Sequence, residues 1–231
     1  MAEQPKKLNC TNCPFKLSLF KYLNKEELAF LDENRYEILF NAGETVFKQN
    51  GALTHLAALT SGLLKIYIED SNKNNLLLTI RKPNELVGGP GFMSDFKHHF
   101  SVMALESSLV CFIDIKAFEK VMRENSEFAM GFIGYLNKIH VSLHEKLIML
   151  THKNMHGRVA EALIYLSKVI YNSPSFTTLL TRQDLADIAS LAKESFIRIL
   201  REFKLKGLVS VEGNSFEIKD MEALEKISLT S

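Results

Sequence analysis

The chain has no surplus of charge: its 231 residues hold 28 Lys and Arg against 27 Asp and Glu, a net charge of +1. Nucleic-acid binders usually announce themselves by a strongly basic domain. Composition alone therefore does not point to that partner, and any grip on a charged polymer has to come from a few placed side chains. Long apolar runs are missing too. No stretch approaches the roughly eighteen uninterrupted apolar residues of a membrane span, and the opening MAEQPKKLNC has no apolar core of a secretion signal, so a cytoplasmic protein without a membrane partner is expected. Cysteine is scarce. Cys10, Cys13 and Cys111 are an odd number in a compartment expected to be reducing, which argues against a disulfide framework. No GxSxG elbow, phosphate-binding P-loop or catalytic-triad signature is visible, which disfavours an enzyme. There is no internal repeat or low-complexity tract. What is left, 46% hydrophobic and 24% charged residues, is the balance of a soluble globular chain long enough for one large or two small cores.

Along the chain the texture changes twice. After the CxxC of Cys10 and Cys13, Asn24 is placed to cap a short helix that buries Leu28 and Leu31. From residue 36 to 114, short alternating or apolar runs (YEILF, TVFKQ, LAALTSGLLKIYIE, LLLTI, VMALESSLVCFID) are broken by turn-forming clusters at residues 41–43, 50–51, 61–62, 72–75 and 83–84, the spacing of a barrel or sandwich. Residues 126–153 then keep a helical period almost unbroken. Phe132, Leu136, Ile139, Leu143, Leu147 and Leu150 step by four, three, four, four and three, close to a heptad seam for a second copy; packing of the helix on its own strand domain is the alternative. A further helix, RVAEALIYLSKVI, leads to residues 181–206, GLVSVEGNSFEIKD reads as a hairpin turning at Gly213-Asn214, and MEALEKISL follows. The fold class is α+β, with domains expected at residues 1–125, 126–153 and 154–231.

Residues 181–206, TRQDLADIASLAKESFIRILREFKLK, carry the functional expectation. The Thr181 hydroxyl is placed to cap a helix of about two turns, with Asp184 completing a capping box and Leu185 and Ile188 facing a core. After Ala189-Ser190-Leu191, a second helix sets Phe196, Ile199, Leu200 and Phe203 in one apolar stripe. Lys193, Glu194, Ile197 and Arg198 are neighbours on another face. Arginine can donate two parallel hydrogen bonds to O6 and N7 of guanine, glutamate can accept from N4 of cytosine, and lysine reaches guanine or a phosphate. Thr181, Arg182 and Gln183 are candidates for the phosphate contacts that set register. An ordinary helical hairpin with a solvated face is the alternative, since six Lys or Arg against four Asp or Glu make the local charge only +2.

The string TRQDLADIASLAKESFIRIL resembles, without a gap, the helix-turn-helix of the cyclic-AMP receptor protein and fumarate-nitrate regulator (Crp/Fnr) superfamily: its pattern TRxD/E, a turn, then xExxxRxL is met at Thr181, Arg182, Asp184, Glu194, Arg198 and Leu200. AGETVFKQNG and the following LTSGLLKIY resemble the same superfamily's cyclic-nucleotide-binding β-roll. The resemblance implies a β-roll sensor, a long helix pairing in a homodimer and a winged helix-turn-helix. It implies a transcription regulator whose partners are palindromic double-stranded DNA with a TGA-like half-site and RNA polymerase, and it assigns base reading to Glu194 and Arg198. Two residues depart from the pattern. Ser190 stands where glycine is usual, and a left-handed serine costs about 1 kcal/mol. Ile197 stands where members often carry glycine or serine, and could meet a thymine methyl.

On the sensor side, members that bind cyclic AMP hold its ribose with a glutamate and its phosphate with an arginine followed by serine. The matching positions here are Gly89, His99 and Phe100, so cyclic AMP is not expected as the effector. Gly88, Gly89 and Gly91 could present backbone amides to an anion, or simply make a tight turn. Around HHFSVMALESSLVCFI the likeness is to the oxygen-sensing fumarate-nitrate branch, whose iron–sulfur ligands are matched at Cys10, Cys13 and Cys111, while Leu19 stands where the fourth is expected. Cubane clusters are usually held by four thiolates, so no cofactor is assigned. An iron–sulfur or thiol redox sensor built on these cysteines is the alternative function, and a buried Cys111 with a remnant CxxC the plainer reading. His98 and His99, adjacent in a strand, point to opposite faces. His140 and His144, four apart on a helix, lack the glutamate of an HExxH site, and neither pair is assigned a metal.

Overall fold

The computed structural model describes Cys10, Cys13 and residues 17–70 and 75–230, the side chain of residue 230 excepted. The turn expected at residues 72–75 lies outside the described residues apart from Asn75. By compactness the chain divides into two units, residues 1–64 with 81–139 and residues 65–80 with 140–231, so the division falls inside the long helix.

The first helix, α1 (Lys25–Glu33), starts with a complete capping box: Asn24 Oδ1 accepts from the Glu27 amide at 2.9 Å and Glu27 accepts from the Asn24 amide at 2.8 Å. Leu28 and Leu31 are buried, as their spacing requires. The strands that follow are β1 (Arg35–Phe40), β2 (Thr45–Phe47), β3 (His55–Ser61), β4 (Leu64–Ile68), β5 (Leu76–Arg81), β6 (Glu85–Val87), β7 (Ser101–Ala104) and β8 (Ser108–Asp114). One antiparallel sheet runs β1-β8-β3-β6, with Tyr36 opposite Phe112 and Ala58 opposite Cys111. β2 pairs antiparallel with β7, and β4 lies beside β5.

The helix α2 (Ile115–Glu124) was not among the expected elements. Asp114, the last residue of β8, caps it by accepting from the Lys116 and Ala117 amides at 2.9 Å. Its Phe118 is the centre of an aromatic core, with ring centroids 5.1 Å from Phe128, 5.3 Å from Phe132 and 5.7 Å from Phe92, all edge to face.

The long helix α3 (Ser126–His152) spans 27 residues and has two apolar faces. One face packs inward: Phe128 and Phe132 enter the aromatic core, the Tyr135 hydroxyl donates to the Leu86 carbonyl, and in the second unit Met149 is buried. The expected seam is corrected here. Phe132, only 3% exposed, belongs to its own core and is not free for a partner, and Ile139, Leu143 and Leu150 are half-buried. Leu136 and Leu147 do lie exposed. Opposite the inward face runs an open stripe in which Met130, Ile133, Asn137, His140, His144 and Leu147 step by three and four, with Val141 and Ile148 alongside. A sequence period cannot separate two stripes on one helix, and the expected seam mixed them.

In the second unit α4 (Met155–Tyr165) is capped by Asn154 and followed by a π-helical turn at Leu166–Ile170. Then come β9 (Ser175–Thr177), α5 (Arg182–Ile188), α6 (Lys193–Leu205), β10 (Val209–Glu212), β11 (Ser215–Ile218) and α7 (Met221–Thr230). The expected hairpin forms, with Gly213 at φ +56° in its turn, and β9 joins it to give the antiparallel order β10-β11-β9. Among the described residues no helix is long and apolar enough to cross a membrane.

Candidate nucleic-acid interface and sensor pocket

α5 begins as the capping box dictates. The Thr181 hydroxyl accepts from the Asp184 amide at 3.1 Å, while the Asp184 carboxylate accepts from the Thr181 amide and hydroxyl at 3.0 and 2.6 Å. A third partner comes from far away in sequence: Lys65 Nζ of β4 donates to Asp184 Oδ1 at 2.7 Å. Burial works to raise the Asp184 pKa, but the hydrogen bonds from Lys65 and Thr181 outweigh it and hold the carboxyl below the usual carboxylate range. At the other end of α5, Lys146 of α3 donates to the Ile188 carbonyl at 2.7 Å and Arg158 of α4 to the Ser190 carbonyl at 3.2 Å. Two cations thus satisfy carbonyls that a short helix leaves open at its C-terminus. Burial, and then the neighbouring Arg158, push the Lys146 amine down to about 8.

The turn between the helices places Ser190 at φ +52°, the left-handed conformation, with its hydroxyl buried and without a hydrogen-bond partner among the described residues. Ser190→Gly should relieve both defects and stabilise the fold by about 1 kcal/mol. A thermal or urea melt checks this, and a lower midpoint would show that the serine is not strained.

α6 buries Phe196, Ile199, Leu200 and Phe203, which leaves Lys193, Glu194 and Arg198 exposed and Ile197 half-buried on a common face. The Arg198 guanidinium does not wave in solvent: Nη1 donates to Glu202 Oε1 at 2.6 Å, and Glu202 Oε2 lies 2.8 Å from His156 Nε2. The hydrogen bond to His156, with Arg198 adding its charge, holds the Glu202 carboxyl below its ordinary range. The N-cap of α6 is Ala192, so no side chain covers the first amides of the helix.

Of the expected phosphate contacts, Arg182 is engaged elsewhere. Its Nη2 donates to the Gly213 carbonyl at 2.5 Å, its guanidinium lies 5.1 Å from the Phe216 ring, and Nη1 is buried, so the side chain fastens the hairpin to α5. Lys204 adds a second fastening through the Val211 carbonyl at 3.0 Å. Gln183 is exposed, its amide donating to Asp187 at 2.7 Å, and Thr181 is exposed apart from its capping role. A lone arginine beside a TRxD signal gave no hint of the hairpin carbonyl, because that partner lies 31 residues away.

Two domain families match in succession: residues 37–125 fit the cyclic nucleotide-binding domain and residues 157–227 the Crp-like helix-turn-helix domain. The chain belongs to the Crp/Fnr family. It is 25% identical over 230 residues to the fumarate and nitrate reduction regulatory protein of Escherichia coli K12, covering 96% of this chain and 90% of that one. To the anaerobic regulatory protein of Pasteurella multocida it is 25% identical over 232 residues, covering 97% and 84%. FixK2 from Bradyrhizobium japonicum shares the fold with a TM-score of 0.78 at 15% identity, over 85% of this chain and 98% of that one. A regulator of the Crp/Fnr family from Eubacterium rectale does so with a TM-score of 0.76 at 18% identity, over 93% and 99%. The protein is a DNA-binding transcription regulator with a cyclic-nucleotide-binding-like sensor domain.

In this Crp/Fnr chain the three cysteines converge. Cys10, Cys13 and Cys111 line one pocket with Phe20, Arg35 and Glu37, a space of about 20 Å³ that holds roughly one water molecule. Arg35 is the hub: buried, it donates to Asp32 at 2.8 Å, to Glu37 at 2.9 Å and to Cys111 Sγ at 3.7 Å. Burial pushes the Cys10 thiol up to about 12 and the Cys111 thiol up to about 11, so both are neutral near pH 7. Leu19 is buried in the same hydrophobic core but does not line this pocket. A four-thiolate iron–sulfur cluster lacks a ligand here: the pocket offers three thiols, and Leu19, where the fourth was expected, is a buried apolar side chain. Among the described residues no group of three or more His, Cys, Asp and Glu side chains is placed to hold a metal ion.

The raised thiols set a pH window. Each ionises near the ordinary 9.0 in the unfolded chain and only near 11 or 12 in the folded one, so folding binds protons between those values. Their contribution to stability is full below pH 9 and lost as pH rises towards 12. At pH 8, alkylation of Cys10 and Cys111 in folded protein should run about 100-fold slower than in denatured protein. Mass spectrometry of labelled peptides reads this, and equal labelling rates would contradict the buried pocket.

The candidate effector loop is not one site. Gly88, Gly89 and Gly91 make the tight turn after β6: a Cβ on Gly91 would stand 1.9 Å from the Lys97 carbonyl oxygen, and the Gly91 carbonyl accepts from the Ser94 and Phe96 amides at 3.1 and 2.9 Å. Phe100 is buried, its ring 3.6 Å from where a Gly89 Cβ would be, beside Phe47, which stacks on His98 with centroids 3.8 Å apart. His99 faces outward within 3.0 Å of Asp95. Both lie in the bend before β7, His99 exposed and Phe100 buried, so the two do not share a site.

Proposed function

We propose that this Crp/Fnr regulator works in the cytoplasm as a homodimer that reads a palindromic DNA site through Lys193, Glu194, Ile197 and Arg198, with RNA polymerase as a further partner and an effector other than cyclic AMP. The observation that carries the reading is the exposed pair Glu194 and Arg198, one turn apart on an α6 whose other face is fully buried. Arginine and glutamate so placed match guanine and the cytosine amine in a major groove. The uncapped first amides of α6, with Lys193 beside them, suit a backbone phosphate, as do the exposed Thr181 and Gln183. Arg182 supports the interface indirectly by holding the hairpin. Residues 1–125 serve as sensor, 126–153 as dimerisation helix and 154–231 as reader.

Fluorescence anisotropy tests the reading. A duplex with two inverted TGA-like half-sites, centres about one DNA turn apart, should bind two chains at least 100-fold more tightly than a duplex with one half-site. Equal affinity for both, or for unrelated DNA, would defeat it. For the effector, Gly89, His99 and Phe100 leave a cyclic phosphate without its charged partner. Calorimetry with millimolar cyclic AMP should give no saturable heat, and saturation in the micromolar range would reverse this part of the proposal.

A further inference from the structure

The open face of α3 contains two histidines at its middle. His140 and His144 are both exposed, one helical turn apart, with ring centroids 5.8 Å from each other. Two imidazoles bound to one tetrahedral zinc ion, with bonds of about 2.0–2.1 Å, have ring centres roughly 5 Å apart. The pair is therefore close to chelating spacing before any ion binds. Its setting is unusual for a solvent-exposed histidine pair. Met130, Ile133, Val141, Leu147 and Ile148, between 47% and 66% exposed, lie before and after it on the same stripe. The stripe carries no lysine or arginine: Lys138 and Glu145 stand on the flank, and Lys146 turns inward to the Ile188 carbonyl. A cation arriving there meets no fixed positive charge.

In sequence the members at 130, 133, 137, 140, 144, 147 and 151 alternate steps of three and four, so in a helix pair His140 and His144 would occupy consecutive layers of the seam. A second copy is the occupant this face calls for. The helix already buries its opposite side, and a helix apolar on both faces is not stable against water on one of them. We infer that two copies of α3, paired along this stripe, bring their His140 and His144 together as a four-imidazole site for a divalent cation of the zinc type. Each chain supplies two ligands and the partner completes the set, which is why the described residues of a single chain show no group of three. The ion would clamp the dimer at its centre. This rests on the dimer of the preceding proposal, and the test separates the two.

Full-length protein stripped with chelator is titrated with cobalt(II), as a spectroscopic probe, and with zinc, and sedimentation velocity is run with and without zinc. A Cys10→Ser/Cys13→Ser/Cys111→Ser variant removes thiol chelation, and His144→Gln removes one ligand at an exposed position. The inference expects one ion per two chains, visible ligand-field bands without sulfur-to-cobalt charge transfer, persistence in the serine variant, and affinity at least 10-fold weaker in His144→Gln. Zinc should also tighten dimerisation at least 10-fold in the wild type and not in His144→Gln. If metal-free protein is a dimer but ion binding ignores His144→Gln, the site is wrong and the dimer stands. A monomer that zinc converts to a dimer only when His144 is present supports the site and removes the metal-free dimer. A monomer under every condition overturns both.

Discussion

Replacing Ile133 and Leu147 together with aspartate is expected to dissociate the protein into monomers and weaken binding to a palindromic duplex by a factor of 100 or more, while the fold persists. Both residues are exposed, at 47% and 57%, so the changes remove nothing from either unit's core. In a paired helix each aspartate would sit against its own copy in an apolar seam, two like charges with no counter-ion. Once the seam opens, each reader helix binds alone, and the gain of about 10²–10⁴ that linkage of two half-sites supplies is lost. Phe132→Asp is the informative contrast. That side chain packs against Phe118 and Phe92, so its replacement should unfold the first unit rather than split a dimer. Circular dichroism and sedimentation distinguish the outcomes; a double aspartate variant that stays dimeric would show that the open stripe is not the seam.

Replacing Arg198 with alanine should cost about 1–3 kcal/mol per half-site and remove the preference for guanine at one position. Glu202 holds the guanidinium from behind at 2.6 Å and is itself tied to His156. An arginine restrained in this way loses less freedom when it meets a base. Glu202→Gln should therefore lower affinity less than Arg198→Ala and leave the consensus unchanged. Arg182→Ala should weaken every sequence alike, through a loosened hairpin. Because its guanidinium is already committed to Gly213 and Phe216, the salt dependence of binding should stay the same. A flatter salt slope in that variant would mean that Arg182 does neutralise a phosphate.

How much of this was legible depends on how local each cause is. The cap at Asn24 and the capping box of Thr181 with Asp184 are local and formed where the sequence placed them, while Glu27, three residues after Asn24, completes a second box that was not expected. The buried stripe of α6 and the Gly213 turn were equally local. The seam of α3 was harder, because Phe132 and Leu136 obey the same period although one faces the aromatic core and the other solvent. The supports of the reader were invisible. Lys65, Lys146 and Arg158 act on Asp184, Ile188 and Ser190 from 32 to 119 residues away, and no spacing rule links a lysine to a distant carbonyl. On the sensor side, resemblance named Cys10, Cys13 and Cys111 together, but the Arg35 hub that sits among them comes from strand pairing in the folded chain. The spacing of His140 and His144 alone does not mark them as a site, since what distinguishes them is the face on which they stand.

In the proposed function α6 reads bases and does so twice per site. Selection of bound sequences from a random DNA pool by the full-length protein tests it directly. The expected result is an inverted repeat containing a G·C pair in each half, with half-site centres about one DNA turn apart, and loss of preference at that pair when Arg198→Ala is selected in parallel. A pool that converges on no inverted repeat, or an Arg198→Ala protein that recovers the wild-type consensus, would contradict it.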